Sequence, residues 1–153
     1  MMQSSESHKM FGRLFWALMG LLAFSSDLPA ADSSAMLIKR GSYLANRASL
    51  CGDCHTPRGQ QGQPDTSRLF QGAPIGFQPL QPVPGWSSTA PPLAGLAGWS
   101  EAAAVKFLET GMGKNGKPAD PPMPEYRFSH SDAEALVAYF RSLKAPDSKA
   151  APK

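Results

Sequence analysis

A chain of 153 residues, 42% of them hydrophobic, can bury one ordinary core with a short extension and is too short for two full domains. Its 15 basic and 12 acidic side chains leave a formal charge of +3 with no basic cluster, which gives no footing for nucleic-acid binding and reads as a solvated surface. Its 2 cysteines fall in one motif, so none is left over for a disulfide.

Residues 1–31 read as a signal peptide. Lys9 and Arg13 form a basic start, residues 14–24 an apolar run, and residues 28–31 offer small side chains for cleavage, although Leu28 fits the −3 position poorly. An eleven-residue helix reaches about 16 Å, short of a ~30 Å hydrocarbon core. An uncleaved membrane anchor is therefore the weaker alternative. Removing residues 1–31 takes out Lys9, Arg13, Glu6 and Asp27, and the remaining 13 basic and 10 acidic groups still give +3. Residues 32–145 are the expected domain, and residues 146–153 a polar tail expected to be disordered.

Residues 34–48 predict the first helix. Leu37, Ile38, Tyr43, Leu44 and Ala48 fall mainly on one face, Lys39, Arg40 and Arg47 on the wet side, and Ser33 or Ser34 is a candidate N-cap. Gly41 sits inside it, where glycine costs about 1 kcal/mol relative to alanine.

Cys51-Gly52-Asp53-Cys54-His55 follows. This is the C-x-x-C-H pattern of covalent haem attachment. Two thiols on a tight helical turn can reach the two vinyl groups along one haem edge, each forming a thioether. The next residue is then carried beneath the iron as a proximal imidazole ligand. A redox dithiol would need a β-α-β setting, which the flanking sequence lacks. A zinc site would need further ligands at short spacing, and the other histidines are only His8, in the leader, and His130. Cys51 and Cys54 are thus the expected attachment points and His55 the expected iron ligand.

Residues 57–98 hold 15 Pro or Gly among 42, too many for long periodic elements. Phe70, Ile75, Phe77, Leu80, Val83, Trp86 and Leu93 argue against disorder. The stretch reads as a functional loop wrapped around the haem edge, with Gly72-Ala73-Pro74-Ile75 its best-marked turn and residues 60–66 its exposed tip. After Trp99, Ser100 caps a short helix with Glu101 at its positive end, three alanines to propagate it and Gly111 to close it.

The second loop, residues 111–125, carries Met123 boxed by Pro121, Pro122 and Pro124. Prolines restrict themselves and their neighbours, and a chain so stiffened loses less entropy on ordering. That suits a thioether, a weak neutral ligand that binds iron only when held in place. A gap-filling core methionine is the simpler alternative. Met112 lies between two glycines with nothing to hold it. His130 is the stronger ligand type, but it opens a helix whose apolar face begins later. That last helix, residues 129–143, has Ser129-x-x-Asp132 and Ser131-x-x-Glu134 as overlapping capping signals and Leu136, Tyr139, Phe140 and Leu143 as its apolar face.

Gly41-Ser42-Tyr43-Leu44, His55-Thr56 and Met123-Pro124-Glu125-Tyr126-Arg127 together resemble a mono-haem class I cytochrome c. More narrowly, they resemble the cytochrome c domains that serve periplasmic and membrane-bound dehydrogenases. The resemblance spans residues 35–143. It implies an all-α cytochrome c fold, with three to four short helices and long Pro/Gly-rich loops wrapped around one covalently bound haem c. It also implies that Gly41 lets the last helix cross closely, and that a loop proline offers its carbonyl to the second nitrogen of His55. Trp99 would pack beside the haem, and the Met-Pro element would be the sixth ligand.

The implied function is a periplasmic single-electron carrier in a respiratory chain, and not an enzyme. With His55 and Met123 both on the iron, no position is open to oxygen or peroxide. Its partners would be redox proteins: a dehydrogenase as donor, and a terminal oxidase or another cytochrome as acceptor. No nucleic acid and no membrane span in the mature form are expected. Two other readings stand beside it: a haem enzyme or gas sensor with a labile sixth ligand, and a cytochrome subunit fixed inside a dehydrogenase complex.

Overall fold

Residues 30–146 are described from a computed structural model. The expected signal peptide falls outside the described residues except for Ala30 and Ala31, as does the expected tail beyond Pro146. Four α-helices carry the described fold: α1 (Ala30–Tyr43), α2 (Cys51–His55), α3 (Glu101–Thr110) and α4 (His130–Ser142). None of the described helices is long and apolar enough to cross a membrane.

The first helix differs from the expectation at both ends. It starts at Ala30, with Asp32 in the first turn where the dipole favours a carboxylate, so Ser33 and Ser34 lie inside it. At the other end it runs on as a π-helical turn, Leu44–Ala48, closed by Ser49 N donating to Leu44 O at 2.9 Å. The wider turn inserts an extra residue and rotates the chain beyond it. Leu44 and Ala45 are buried and Ile38 partly so, while Leu37, Tyr43 and Ala48, all expected inside, are exposed.

α1 crosses α4 at Gly41. A Cβ built there would stand 2.6 Å from the carbonyl carbon of Ala135 and 2.7 Å from Tyr139 Cβ. Backbone faces backbone, so no rotamer change relieves the contact, and this close approach offsets glycine's low helix propensity. Asn46 Nδ2 donating to Tyr139 Oη at 3.1 Å and an Arg40–Asp132 ion pair at 2.9 Å add polar links between the same elements.

Ser129 caps α4, its Oγ accepting from Asp132 N at 3.3 Å. The second capping signal is not used: Ser131 lies within the helix, and Glu134 pairs with His130. The buried face includes Ala133, Ala135 and Val137 besides Leu136, Tyr139 and Phe140, and Leu143 is only partly buried. α3 agrees with the expectation. Ser100 Oγ accepts from Ala103 N at 3.3 Å, and Gly111 ends the helix at φ 69°.

The first loop is more ordered than expected. It contains 3-10 turns at Thr66–Arg68 and Ala94–Leu96, and an antiparallel ladder of β1 (Ala73–Pro74) with β2 (Thr89–Ala90). The expected turn at Ala73-Pro74 is therefore a strand. Pro74 has no N–H to give, and the ladder's edge is closed by Ile75 N donating to Ser88 O at 2.8 Å. The ladder is small, and the fold remains mainly helical.

Phe70 joins loop to core. It is fully buried at φ 57°, a backbone conformation rare for a bulky residue. Its ring meets Tyr139 at 5.9 Å and Phe140 at 5.2 Å, both edge-on. Its N–H donates to Thr56 Oγ1 at 3.0 Å, and its carbonyl accepts from Leu93 N at 2.9 Å and Ala94 N at 3.0 Å. One residue thus links α4, the exit of α2 and the far arm of the loop.

Candidate functional site

α2 is little more than one turn, and it carries Cys51, Cys54 and His55 together. Leu50 enters it in the left-handed conformation (φ 51°, ψ 35°), and Thr56 leaves extended (φ −111°, ψ 128°). The chain therefore bends sharply on either side of the motif. Both cysteines are unbridged and partly exposed. Burial, chiefly, pushes the Cys51 thiol up to about 11, so near neutral pH it is an uncharged thiol in surroundings that also suit an uncharged thioether.

His55 is 5% exposed, and its Nδ1 lies 2.7 Å from Pro91 O. A carbonyl oxygen only accepts, so Nδ1 carries the proton and Nε2 keeps its lone pair. Burial outweighs that bond and holds the imidazole below its ordinary pKa. A neutral ring with a free, oriented Nε2 is the form that binds iron. Several loop prolines were candidates for this carbonyl, and the structure assigns it to Pro91.

The same turn is pinned from the residue before β1. Gly72 N donates to His55 O at 2.8 Å. Gly72 stands at φ 81°, and a Cβ there would meet Ala90 O and Pro92 N, each at 3.0 Å. Glycine is what lets the His55 carbonyl and the Pro91 segment approach the same point.

Met123 lies on the proline-rich loop and is half-buried. Its N–H donates to Asp120 O at 3.2 Å, and Ser87 N donates to Pro121 O at 2.7 Å. The peptide bond between Pro121 and Pro122 is cis. Beyond Met123, Tyr126 Oη donates to Ser49 O at 2.9 Å, and its ring stacks on Phe128 at 5.0 Å. Burial first, then the Cys51 and Cys54 thiols, push the Tyr126 hydroxyl up to about 12, so it remains a donor at ordinary pH.

The two other side chains considered for the sixth position both lie at the surface. Met112 is exposed and pairs in an isolated bridge with Pro118. His130 faces water, as expected, with Nδ1 2.7 Å from Glu109 Oε1 and Nε2 3.2 Å from Glu134 Oε1. The Glu109 bond first, then the Glu134 charge, raise its pKa above the ordinary value. Trp99 packs on Phe107 at 5.4 Å, with Lys114 Nζ 4.5 Å above its ring. A zinc reading finds no support among the described residues, which contain no cluster of three or more His, Cys, Asp or Glu able to hold a metal ion.

A cleft of about 590 Å³ opens beside Cys54, walled by Thr56, Ala73, Ile75 and Phe77, with Asp53 and Arg58 at its charged side. Its size falls within the ~300–1,000 Å³ of ligand sites. Residues 72–100, which supply most of that wall, include no charged side chain. Two unbridged cysteines, a neutral imidazole with a free nitrogen and a largely uncharged wall fit haem c. Phe70 and Gly72 were not identified from the sequence as parts of the site, and which loop proline serves His55 was left open. Their contributions are bonds made across the fold, through the backbone and, at Thr56, through Oγ1.

Residues 38–144 match the family described as Cytochrome c. The chain is 32% identical over 111 residues to the fructose dehydrogenase cytochrome subunit of Gluconobacter japonicus, covering 69% of this chain and 22% of that protein. It is 33% identical over 136 residues to the gluconate 2-dehydrogenase cytochrome c subunit of Pantoea cypripedii, covering 87% and 29%. It is 35% identical over 128 residues to the cytochrome c subunit of the quinone alcohol dehydrogenase of Gluconobacter oxydans (strain 621H), covering 81% and 25%. The chain therefore spans between 22% and 29% of the length of these relatives.

Proposed function

The chain belongs to the cytochrome c family, and from that premise we propose a periplasmic single-electron carrier with one haem c, held by Cys51 and Cys54 and ligated by His55 and Met123. The haem supplies a one-electron couple at its iron. The protein's own groups set the conditions for it. Cys51 and Cys54 fix the position by covalent attachment. Pro91 O holds the His55 ring in one tautomer and one orientation. Met123 contributes a neutral sulfur, and methionine ligation raises the reduction potential.

The observation that carries this reading is the 2.7 Å contact between His55 Nδ1 and Pro91 O. It leaves Nε2 unprotonated and available for ligation on the residue that directly follows the Cys-x-x-Cys pair. Filling both axial positions with protein side chains leaves none for oxygen or peroxide, which favours a carrier over an enzyme or gas sensor.

The proposed donor is a periplasmic dehydrogenase, and the proposed acceptor a terminal oxidase or another cytochrome. The names of the three relatives, each a cytochrome subunit of a dehydrogenase, support the donor. They equally favour a second reading, in which the chain is a fixed subunit of such a complex. Export rests on the basic, apolar and small-residue pattern of residues 1–31.

A redox titration of the purified holoprotein, with carbon monoxide offered to the reduced form, tests the proposal. A carrier cycles reversibly by one electron and excludes carbon monoxide. Rapid carbon monoxide binding would assign the haem to an enzyme or sensor. Haem stain surviving denaturation should be absent once Cys51 and Cys54 are both replaced by Ala. Isolation only in a complex with a dehydrogenase would select the fixed subunit.

A further inference from the structure

We infer that Tyr126 is a positioning residue for the sixth ligand: its hydroxyl ties the loop that carries Met123 to the turn that carries the haem attachment. The inference rests on the reading of Met123 as a ligand. Tyr126 Oη donates to Ser49 O at 2.9 Å across 77 residues of sequence, so no local structure imposes the contact. Tyr126 lies three residues after Met123, and Ser49 two residues before Cys51. The acceptor belongs to a fixed frame, because Ser49 N closes the π-helical turn on Leu44 O at 2.9 Å.

The other flank of the loop is held separately, by Ser87 N donating to Pro121 O at 2.7 Å. Met123 is therefore suspended between two bonds to two different parts of the frame. Its thioether is a weak, uncharged ligand, and its residence on iron depends on how firmly its loop is held. The Tyr126 bond exists only while the loop is closed onto the segment before α2. Losing it shifts the loop toward opening and leaves the chemistry of Met123 unchanged.

The ring is seated independently of the hydroxyl. It stacks on Phe128 at 5.0 Å, and Phe128 N donates to Leu108 O at 3.1 Å. Tyr126→Phe therefore removes one bond and leaves the packing in place, which separates positioning from a merely structural role.

The experiment titrates imidazole into ferric holoprotein, because imidazole reaches the iron only when the loop opens. Tyr126→Phe should bind it about 3- to 10-fold more tightly, the range of one net hydrogen bond, and should lose the sulfur-to-iron charge-transfer band at lower pH. In the unaltered protein, the Tyr126 hydroxyl proton should be protected from exchange and lose that protection when imidazole is bound. That second measurement serves also if the variant fails to load haem.

Unchanged imidazole affinity in Tyr126→Phe, or a hydroxyl proton equally protected in both states, overturns the inference while the band in the unaltered protein keeps Met123 as ligand. A ferric protein without that band, or a band that survives Met123→Ala, overturns the Met123 reading and this inference with it.

Discussion

Gly41 rests directly on the main chain of Ala135, and a built Cβ would lie 2.6 Å from that residue's carbonyl carbon. No side chain fits between α1 and α4 without moving one of them. Gly41→Ala should therefore destabilise the holoprotein, although alanine is the better helix former. Overpacking of this kind costs about 1–3 kcal/mol, a large share of a marginal stability. Thermal unfolding followed by circular dichroism measures it. A melting temperature equal to or above that of the unaltered protein would mean the helices do not meet there.

Gly72→Ala tests the second close approach. The residue stands at φ 81°, with Ala90 O and Pro92 N 3.0 Å from a built Cβ. An alanine should push the Pro91 segment away from His55 and weaken the Nδ1 bond. The expected outcome is lower stability, by at least ~1 kcal/mol from the left-handed backbone alone. A raised reduction potential should accompany it, since the imidazole becomes a poorer electron donor. Potentiometry and denaturant unfolding on the same preparation report both. A stability loss with no change in potential would leave the glycine a purely structural role.

His130 gives a pH signature outside the haem region. Glu109 and Glu134 raise its pKa in the folded state. Its stabilising contribution is therefore complete below the unfolded value of about 6.5 and is lost as pH rises through the higher folded value. The pair is exposed, so the effect is small and screened by salt. The melting-temperature difference between the unaltered protein and His130→Ala should be largest in mild acid and should fade above neutrality. A difference that grows with pH would contradict the assignment.

Much of the site was readable because its chemistry is local. Cys51, Cys54 and His55 share one turn, so spacing alone brought them together. Ser100, Gly111 and Ser129 mark helix ends by short-range bonds, and those ends were read correctly. What escaped depends on distant partners. Pro91 differs from its neighbouring prolines only in standing opposite His55. Phe70 gives no sign in sequence that it will be buried at a left-handed φ. That Gly41 lets the last helix cross closely was expected, but not that its nearest neighbours would be the Ala135 backbone and Tyr139 Cβ. The π turn at Leu44–Ala48 broke the helical periodicity, which is why Ala48 was placed inside. The short ladder was missed because two-residue strands leave no alternation to read.

The claim that His55 and Met123 are the two axial ligands is tested most directly by the ferric spectra of three variants. Met123→Ala should become high-spin and bind added cyanide readily, while Met112→Ala and His130→Ala keep a low-spin iron with its weak sulfur-to-iron band. A low-spin spectrum retained in Met123→Ala, or a change to high spin in Met112→Ala or His130→Ala, would contradict the assignment.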